Sequence, residues 1–346
     1  MTLNKGDADK IELLKLIETE YSSVYLEDVL QPGKVWNKHR ANSDKVASFY
    51  RNSENYDRYA NRINLCSQFL NFELTGDRNE YKLKLSAARF CRVRYCPICQ
   101  WRRSLKWKAK AFKVLPTIVE EYPTHRWLFL TLTAQNCRIE DLRSTIQKLN
   151  KAWQRMSQRK IFPGVGWLRS TEVTRSKDGS AHPHFHCLLM VKPSYFGKYY
   201  IKQQKWVELW KSCLRVDYEP VLDIRAIKRE QNPVVLVPEI LKYCVKESDL
   251  ICDRQWFLEL TNQMHSLRTV ATGGILKEFV RQQEEDREYE VESEKYNGAG
   301  HLYFDWRCSA KKYQLFKIKS SKSDAQYKLR VANLTLNITE RACICN

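Results

Sequence analysis

Three of the chain's seven histidines fall within five residues, His182-Pro183-His184-Phe185-His186. Along a strand alternate residues share a face, so His184 and His186 point one way while Phe185 and Cys187 point into the core. Two imidazoles on one strand make half of a divalent-metal site. His182 could fall on the same face, although Pro183 breaks regular pairing between them. On the predicted neighbouring strand sits Glu172, a carboxylate in an otherwise apolar stretch. A His/His/Glu trio leaves coordination positions open for substrate oxygens. The plainer alternative is a set of exposed strand histidines without a ligand, and their clustering argues against it.

A second constellation is Cys66, Cys91, Cys96 and Cys99. The last two form a C-x2-C pair, which offers two thiolates from one tight turn, and the other two close a tetrahedral Zn²⁺ site. Four thiolates leave no open position, so such a site is structural rather than catalytic. A redox pair is the competing reading, but the chain lacks the βαβ setting of that motif. The third constellation is Glu239, Tyr243 and Lys246, at i, i+4 and i+7 of a predicted helix and so on one face. A tyrosine hydroxyl can attack phosphorus, a nearby Lys lowers the phenol's pKa, and Glu239 can serve as a general base. Alone this trio is weak, since Tyr and Lys at helical spacing commonly dress a surface.

The elements that must hold these groups are legible in the middle of the chain. Trp127–Thr133 reads as a strand and Ile139–Gln158 as an amphipathic helix. Gly166–Thr174 and His184–Val191 form an antiparallel hairpin around the turn Ser176–Ser180. A helix over Trp206–Leu214, a strand over Val221–Ile227 and a third helix over Val237–Val245 follow. The order is that of an α+β fold with a split-βαβ, ferredoxin-like sheet, mainly antiparallel and flanked by helices. The first 60 residues read as polar and irregular, with Gln31–Ser53 a loop or linker. Gly273-Gly274 marks a turn, Arg281–Glu294 is acidic and Lys311–Arg330 basic.

With 59 Lys+Arg against 40 Asp+Glu, the formal net charge over 346 residues is +19. That excess favours a polyanionic partner, with nucleic acid the default. Eight Lys/Arg and no Asp/Glu lie between Cys91 and Lys113, interleaved with Trp101 and Trp107, which suits stacking and phosphate contacts. No apolar run approaches the roughly 20 residues of a membrane helix. The polar, mixed-charge start is unlike a signal peptide, so a cytoplasmic protein with no membrane partner is expected.

Phe129-Leu130-Thr131-Leu132-Thr133, then His182–His186, then Tyr243-Cys244-Val245-Lys246 resembles, in order, the three motifs of HUH endonucleases. More narrowly, Cys91–Trp101 and Glu239–Asp249 look like the rolling-circle replication initiators, the Rep proteins of small bacterial plasmids, and Arg268 with Gly273-Gly274 fits their downstream segment. The resemblance covers about residues 61–279. It implies that His184 and His186 hold Mg²⁺ or Mn²⁺ with Glu172 or His182 as third ligand, Glu172 being favoured because strand pairing brings it opposite. It implies Tyr243 as a single nucleophile, Glu239 as the carboxylate activating water at termination, and Lys246 at the Y-x-x-K position. The expected function is nicking of one strand at the plasmid double-strand origin, leaving a 5′-phosphotyrosine and a free 3′-OH. DNA, a host helicase and the replication machinery are the expected partners, with a dimer on DNA possible, in a bacterial cytoplasm.

The expected organisation is a polar helical or flexible segment over 1–60, a four-Cys, zinc-ribbon-like DNA-binding module over 61–115, the HUH nuclease domain over 116–280 and a charged segment over 281–346. Rival readings are a single-tyrosine HUH transposase, which is usually shorter and lacks the four-Cys module, and a non-enzymatic zinc-ribbon regulator, which leaves His184, His186 and Tyr243 idle. A metallophosphoesterase using water alone is a third, and would form no covalent adduct.

Overall fold

The computed structural model describes residues 24–30, 32–75, 82–228, 233–236, 240, 244–277 and 300–320. The chain divides into two units, Met1–Cys99 with Tyr289–Asn346, and Gln100–Glu288, where the sequence suggested four segments.

In the first unit the stretch expected as a loop, Gln31–Ser53, holds an 18-residue helix, α1 (Gly33–Tyr50). Its buried stripe runs through Trp36, Asn37, Arg40, Ser43, Val46, Ala47 and Tyr50. Three of those residues are polar, so the helical period is real but invisible to a count of apolar residues. Each polar member makes side-chain hydrogen bonds, at short and at long range along the chain. Arg40 pairs with Asp44 at 2.6 Å and donates to the Asn64 carbonyl at 3.0 Å, Ser43 Oγ donates to the His39 carbonyl at 2.8 Å, and Asn37 Oδ1 accepts from the Tyr313 N–H at 3.0 Å. A second helix, α2, spans Asp57–Asn64.

Four antiparallel strands complete this unit: β1 (Phe69–Thr75) and β2 (Lys82–Ala88) pair with two from the far end of the chain, β8 (Gly300–Arg307) and β9 (Lys312–Ser320), in the order β2-β1-β8-β9. Trp36 of α1 meets Phe72 and Tyr313 edge-on, each at 6.4 Å. Part of the expected charged C-terminal segment thus supplies half of a sheet. Ile11–Ile17, whose apolar spacing suits one or two amphipathic helix turns, and the acidic run Arg281–Glu294 lie outside the described residues.

The second unit is built on a five-stranded, wholly antiparallel sheet. Its strands are β3 (Arg126–Thr133), β4 (Gly164–Arg175), β5 (Ala181–Val191), β6 (Leu222–Ala226) and β7 (Val270–Gly274), ordered β6-β3-β5-β4-β7. Helix α3 (Pro97–Glu121) enters this unit at Gln100, α4 (Leu142–Ser157) links β3 to β4, and α5 (Gln203–Leu214) links β5 to β6. Strands β3 and β4 run parallel with β5 between them, and β5 and β6 with β3 between them, which is the split-βαβ arrangement read from the sequence.

Both sheet faces are covered. Leu130, Leu132, Phe185 and Cys187 pack with Leu149 and Trp153 of α4 and Trp206 and Trp210 of α5. On the other face Trp127, Phe129, Leu168, Leu188 and Met190 pack with Val114, Leu115 and Ile118 of α3. Arg169 is buried, its guanidinium 3.9 Å from the Phe185 ring centroid and bonded to Asn150 Oδ1 at 2.7 Å. Burial pushes its pKa down to about 10.

The expected turn at Gly273-Gly274 is instead the end of β7, pressed against β4. A Cβ on Gly273 would lie 2.3 Å from the Trp167 ring, and Gly274 has φ +57 with the Val165 carbonyl 2.1 Å from where a Cβ would stand. The third expected helix, Val237–Val245, does not reach its expected end. Cys244 lies in a bend and Val245 pairs in parallel with Val173. Beyond the last β4–β7 pair the N–H groups on that edge of β4 take other acceptors: Thr171 N–H donates to the Thr269 carbonyl at 2.7 Å, Arg175 N–H to Asp249 Oδ2 at 3.0 Å, and the buried Val173 N–H to the Cys244 carbonyl at 2.8 Å. Satisfying that buried donor takes precedence over another helical turn. Lys246 therefore stands outside any helix shared with Tyr243. It is exposed and extended (φ −64, ψ 142), capping the short turn Glu247–Leu250.

Candidate metal centres and nuclease site

The hairpin β4–β5 sets the second unit's site. Ser176 N–H donates to the Ser180 carbonyl at 2.9 Å, closing the turn, and the register that follows places Glu172 opposite His184 and Ser170 opposite His186. On its other side β5 pairs with β3, putting Thr133 opposite His184 and Thr131 opposite His186. Because cross-strand partners share a face, Thr131, Thr133, Glu172, His184 and His186 line one patch, on the side covered by α3.

Glu172, His184 and His186 are 6%, 8% and 9% exposed, a depth at which a carboxylate and two imidazoles need partners. Glu172 Oε2 lies 3.1 Å from His186 Nε2 and 3.5 Å from His184 Nε2. Burial alone would raise the pKa of Glu172, but the hydrogen bonds and charge of the two imidazoles outweigh it and hold the carboxyl well below its usual range. The distal nitrogens are fixed from behind: His186 Nδ1 meets Thr131 Oγ1 at 3.3 Å and His184 Nδ1 the His182 carbonyl at 3.2 Å. Such contacts set the tautomer and aim the other nitrogen. The two carboxylate–imidazole distances, 3.1 and 3.5 Å, approach the cis edge of about 3 Å around a small divalent ion coordinated at about 2.1 Å, and the three ligand atoms lie within 4.8 Å of one another. These three groups could hold a metal and leave other positions open.

His182 stands apart from that trio. Its Nδ1 meets Asn136 Oδ1 at 2.6 Å, and burial followed by the charge of His184 lowers its pKa. Its contribution to the centre is its carbonyl. Thr131 and Asn136 are the groups that sequence reasoning missed. The signal was available for Thr131, since two threonines alternate on one side of the otherwise apolar Phe129–Thr133. Glu239 and Tyr243 lie outside the described residues. Their neighbours do not: Ile240 is buried in the apolar cluster on the histidine face, and Cys244, next in sequence to Tyr243, bonds to Val173, next in sequence to Glu172.

In the first unit Cys66 follows α2, Cys91 follows β2, and Cys96 and Cys99 bracket the start of α3. The Sγ atoms of Cys99 and Cys66, of Cys99 and Cys91, and of Cys96 and Cys66 are 3.6, 3.6 and 3.7 Å apart. That is far beyond a disulfide bond and close to the roughly 3.8 Å edge of a thiolate tetrahedron with 2.3 Å metal–sulfur bonds. Backbone N–H groups of Cys91 and Val93 donate to Cys66 and Cys91 sulfurs at 3.4 Å each. Hydrogen bonds from the other three thiols hold Cys99 far below its ordinary pKa, while burial pushes Cys96 up. Four buried thiols this close together lose their protons jointly only with a cation to balance the charge. Of the remaining cysteines, Cys187 and Cys213 are buried and Cys137 and Cys244 partly buried. Cys343 and Cys345 lie outside the described residues.

Trp107, expected to stack on nucleic acid, instead packs with Ala111 against the Phe129 cluster. Leu105 and Phe112 of the same helix are the exposed apolar residues.

Residues 82–314 match the model of the Rep_1 family, described as replication protein. The chain is 32% identical to "Protein rep" of Bacillus amyloliquefaciens over 86% of this chain and 98% of that one. It is 35% identical to "Protein rep" of Lentilactobacillus hilgardii over 64% and 74% of the two chains, and 34% to that of Streptococcus pneumoniae serotype 2 over 70% and 78%. No solved structure matches it.

Proposed function

The chain belongs to the Rep_1 family of replication proteins, the initiators of rolling-circle plasmid replication, and from that premise we propose that it nicks one origin strand at the Glu172/His184/His186 centre with Tyr243 as nucleophile. The observation that carries this reading is the meeting of those three groups on one buried patch, with the backbone of Cys244 bonded one residue away from Glu172. Tyr243 itself lies outside the described residues; it adjoins Cys244 in sequence. On this reading the centre is an HUH site of the single-tyrosine type.

Glu172 and the Nε2 atoms of His184 and His186 would hold Mg²⁺ or Mn²⁺, whose charge polarises the non-bridging oxygens of the phosphate. Thr131 Oγ1 and the His182 carbonyl, each against an Nδ1, would leave both Nε2 atoms to face the ion. Tyr243 Oη attacks phosphorus in line, the bond to the 3′ oxygen breaks, and that oxygen takes up a proton. The products are a 5′-phosphotyrosine and a free 3′-OH, from which host helicase and polymerase proceed. Lys246, extended and exposed, would offset phosphate charge, and Glu239 would activate the terminating water. The thiolate cluster would hold Zn²⁺ and keep the turns after α2 and β2 together with the start of α3.

The test is a labelled single-stranded oligonucleotide carrying the plasmid's own nick region, incubated with protein and Mn²⁺ and run on a denaturing gel. A labelled band at protein mass, lost with chelator and in Tyr243→Phe, is expected. Cleavage without that band would make water the nucleophile, and no cleavage alongside intact duplex binding would favour a non-enzymatic regulator.

A further inference from the structure

Beside Glu172 the outer edge of β4 ends on a side chain where a strand would be expected. Val245 pairs with Val173 in parallel, and the Val173 N–H donates to the Cys244 carbonyl. Continuing that ladder by one step would give the Arg175 N–H the Lys246 carbonyl. That carbonyl is engaged elsewhere, accepting from Asp249 N–H at 3.1 Å and Leu250 N–H at 3.2 Å. The chain therefore leaves β4 at Lys246 and turns, and Asp249 Oδ2 takes the Arg175 N–H at 3.0 Å in place of the strand carbonyl. Asp249 closes the turn Glu247–Leu250 with its main chain and seals that turn to β4 with its side chain. Its other oxygen accepts from Ser248 Oγ at 3.2 Å, while the Arg175 guanidinium pairs with Asp253 at 3.5 Å.

The consequence falls on Lys246. Val173 and Val245 are fully buried and, as cross-strand partners, share one side of the sheet. Successive residues of a strand alternate, so that side is the one away from Glu172. Lys246 is extended (φ −64, ψ 142), and its side chain leaves on the opposite side, that of Glu172, His184 and His186, where it is exposed. A lysine is a point charge on a flexible stem, and pinning its backbone on both flanks narrows where the ammonium can reach. Asp249 is not one of the three groups that could hold the metal, so what it can supply is placement.

We propose that Asp249 is a positioning residue for phosphoryl transfer at this centre: by sealing the Glu247–Leu250 turn to the Arg175 N–H, it sets Lys246 against the phosphate held beside Glu172. The inference rests on the reading of the centre as a phosphodiester-cleaving site.

The experiment is single-turnover cleavage of the nick-site oligonucleotide across a Mn²⁺ series by wild type, Asp249→Ala, Asp249→Asn, Lys246→Ala and the Asp249→Ala, Lys246→Ala pair. Asp249→Ala should lower the rate at saturating Mn²⁺ by roughly 10-fold or more, since small misplacements of substrate-holding groups are costly, with half-saturating Mn²⁺ unchanged. Asp249→Asn keeps an oxygen acceptor for the Arg175 N–H and should recover the rate to within about 3-fold. In the Lys246→Ala background Asp249→Ala should cost less than about 3-fold more, because residues acting as a unit are not additive. Amide-resolved hydrogen exchange reads the seal without turnover: the Arg175 N–H should lose protection in Asp249→Ala and keep it in Asp249→Asn. Retained far-ultraviolet circular dichroism certifies the fold, and Asp249→Ser, too short to reach the Arg175 N–H, replaces the alanine variant if that chain does not fold.

An unchanged saturating rate in folded Asp249→Ala overturns the proposal, as do fully multiplicative losses in the pair or an Arg175 N–H still protected in Asp249→Ala. A rise in half-saturating Mn²⁺ in place of the rate loss also overturns it and moves the influence of Asp249 to the metal. Cleavage by wild type that is indifferent to Asp249 sinks this inference alone, whereas no cleavage by wild type sinks the nuclease reading and this inference with it.

Discussion

The two metal-ligand clusters differ in every property that decides what a bound ion can do. The first unit's cluster is four soft thiolates from three separate turns, mutually at tetrahedral spacing and capped by backbone N–H groups. The second unit's cluster is one carboxylate and two imidazoles from two paired strands, held from behind by Thr131 and a backbone carbonyl. Four thiolates complete a coordination sphere and tie chain together, whereas three hard or borderline ligands on a sheet leave room for phosphate oxygens. On the proposed function the chain uses one cluster to fold and the other to react, and substitutions should separate the two.

The largest effect is expected at the closed cluster. Metal binding at a structural thiolate site is worth about 10 kcal/mol or more, so Cys99→Ser should lose the bound zinc and unfold the first unit. Metal analysis and thermal denaturation check this, and a variant with full metal content and an unchanged midpoint would break the comparison. Next comes the open cluster, where His186→Ala should lower nicking by roughly 100-fold or more while the thermal midpoint moves by only a few degrees, measured by single-turnover cleavage. Thr131→Val keeps the shape and removes the hydroxyl behind His186. A fall in metal affinity of about 10-fold or more, read from Mn²⁺ titration of cleavage, is expected.

His182→Ala should cost less still, because the carbonyl that orients His184 survives the substitution. A loss as large as that at His186 would make His182 the third ligand in place of Glu172. The smallest effect concerns acid stability. Glu172 has a folded pKa below its ordinary value near 4.5, so it stabilises the metal-free fold above that pH, and the stabilisation is lost as pH falls below it. Glu172→Gln should flatten this part of the acid-unfolding curve.

The open cluster was largely legible in the sequence because its geometry is local. Glu172 and His184 each stand four residues from the ends of one short turn, so the hairpin register follows once the turn is recognised. The core helices α4 and α5 were legible for a similar reason, their apolar period being strong. Helix α1 was not, because Asn37, Arg40 and Ser43 occupy its buried stripe and their partners lie far along the chain, at Tyr313, Asn64 and the four-Cys turn. Strands β8 and β9 were missed in the same way: β8 pairs with β1, more than 200 residues earlier, and no local pattern reports that. The end of the third helix was misread because Cys244 answers to the edge of β4 and not to its own helical period. Trp107 looked like a stacking residue amid lysines until the sheet beneath it was known.

The central claim is that the open cluster works with one tyrosine, and mass spectrometry of the covalent adduct tests it most directly. Protein trapped on the nick-site oligonucleotide with Mn²⁺ is digested with nuclease and protease, and the nucleotide-bearing peptide is sequenced. The account predicts a phosphotyrosine ester at Tyr243. An ester on any other residue, or an unmodified Tyr243 in protein that has cleaved its DNA, would contradict it.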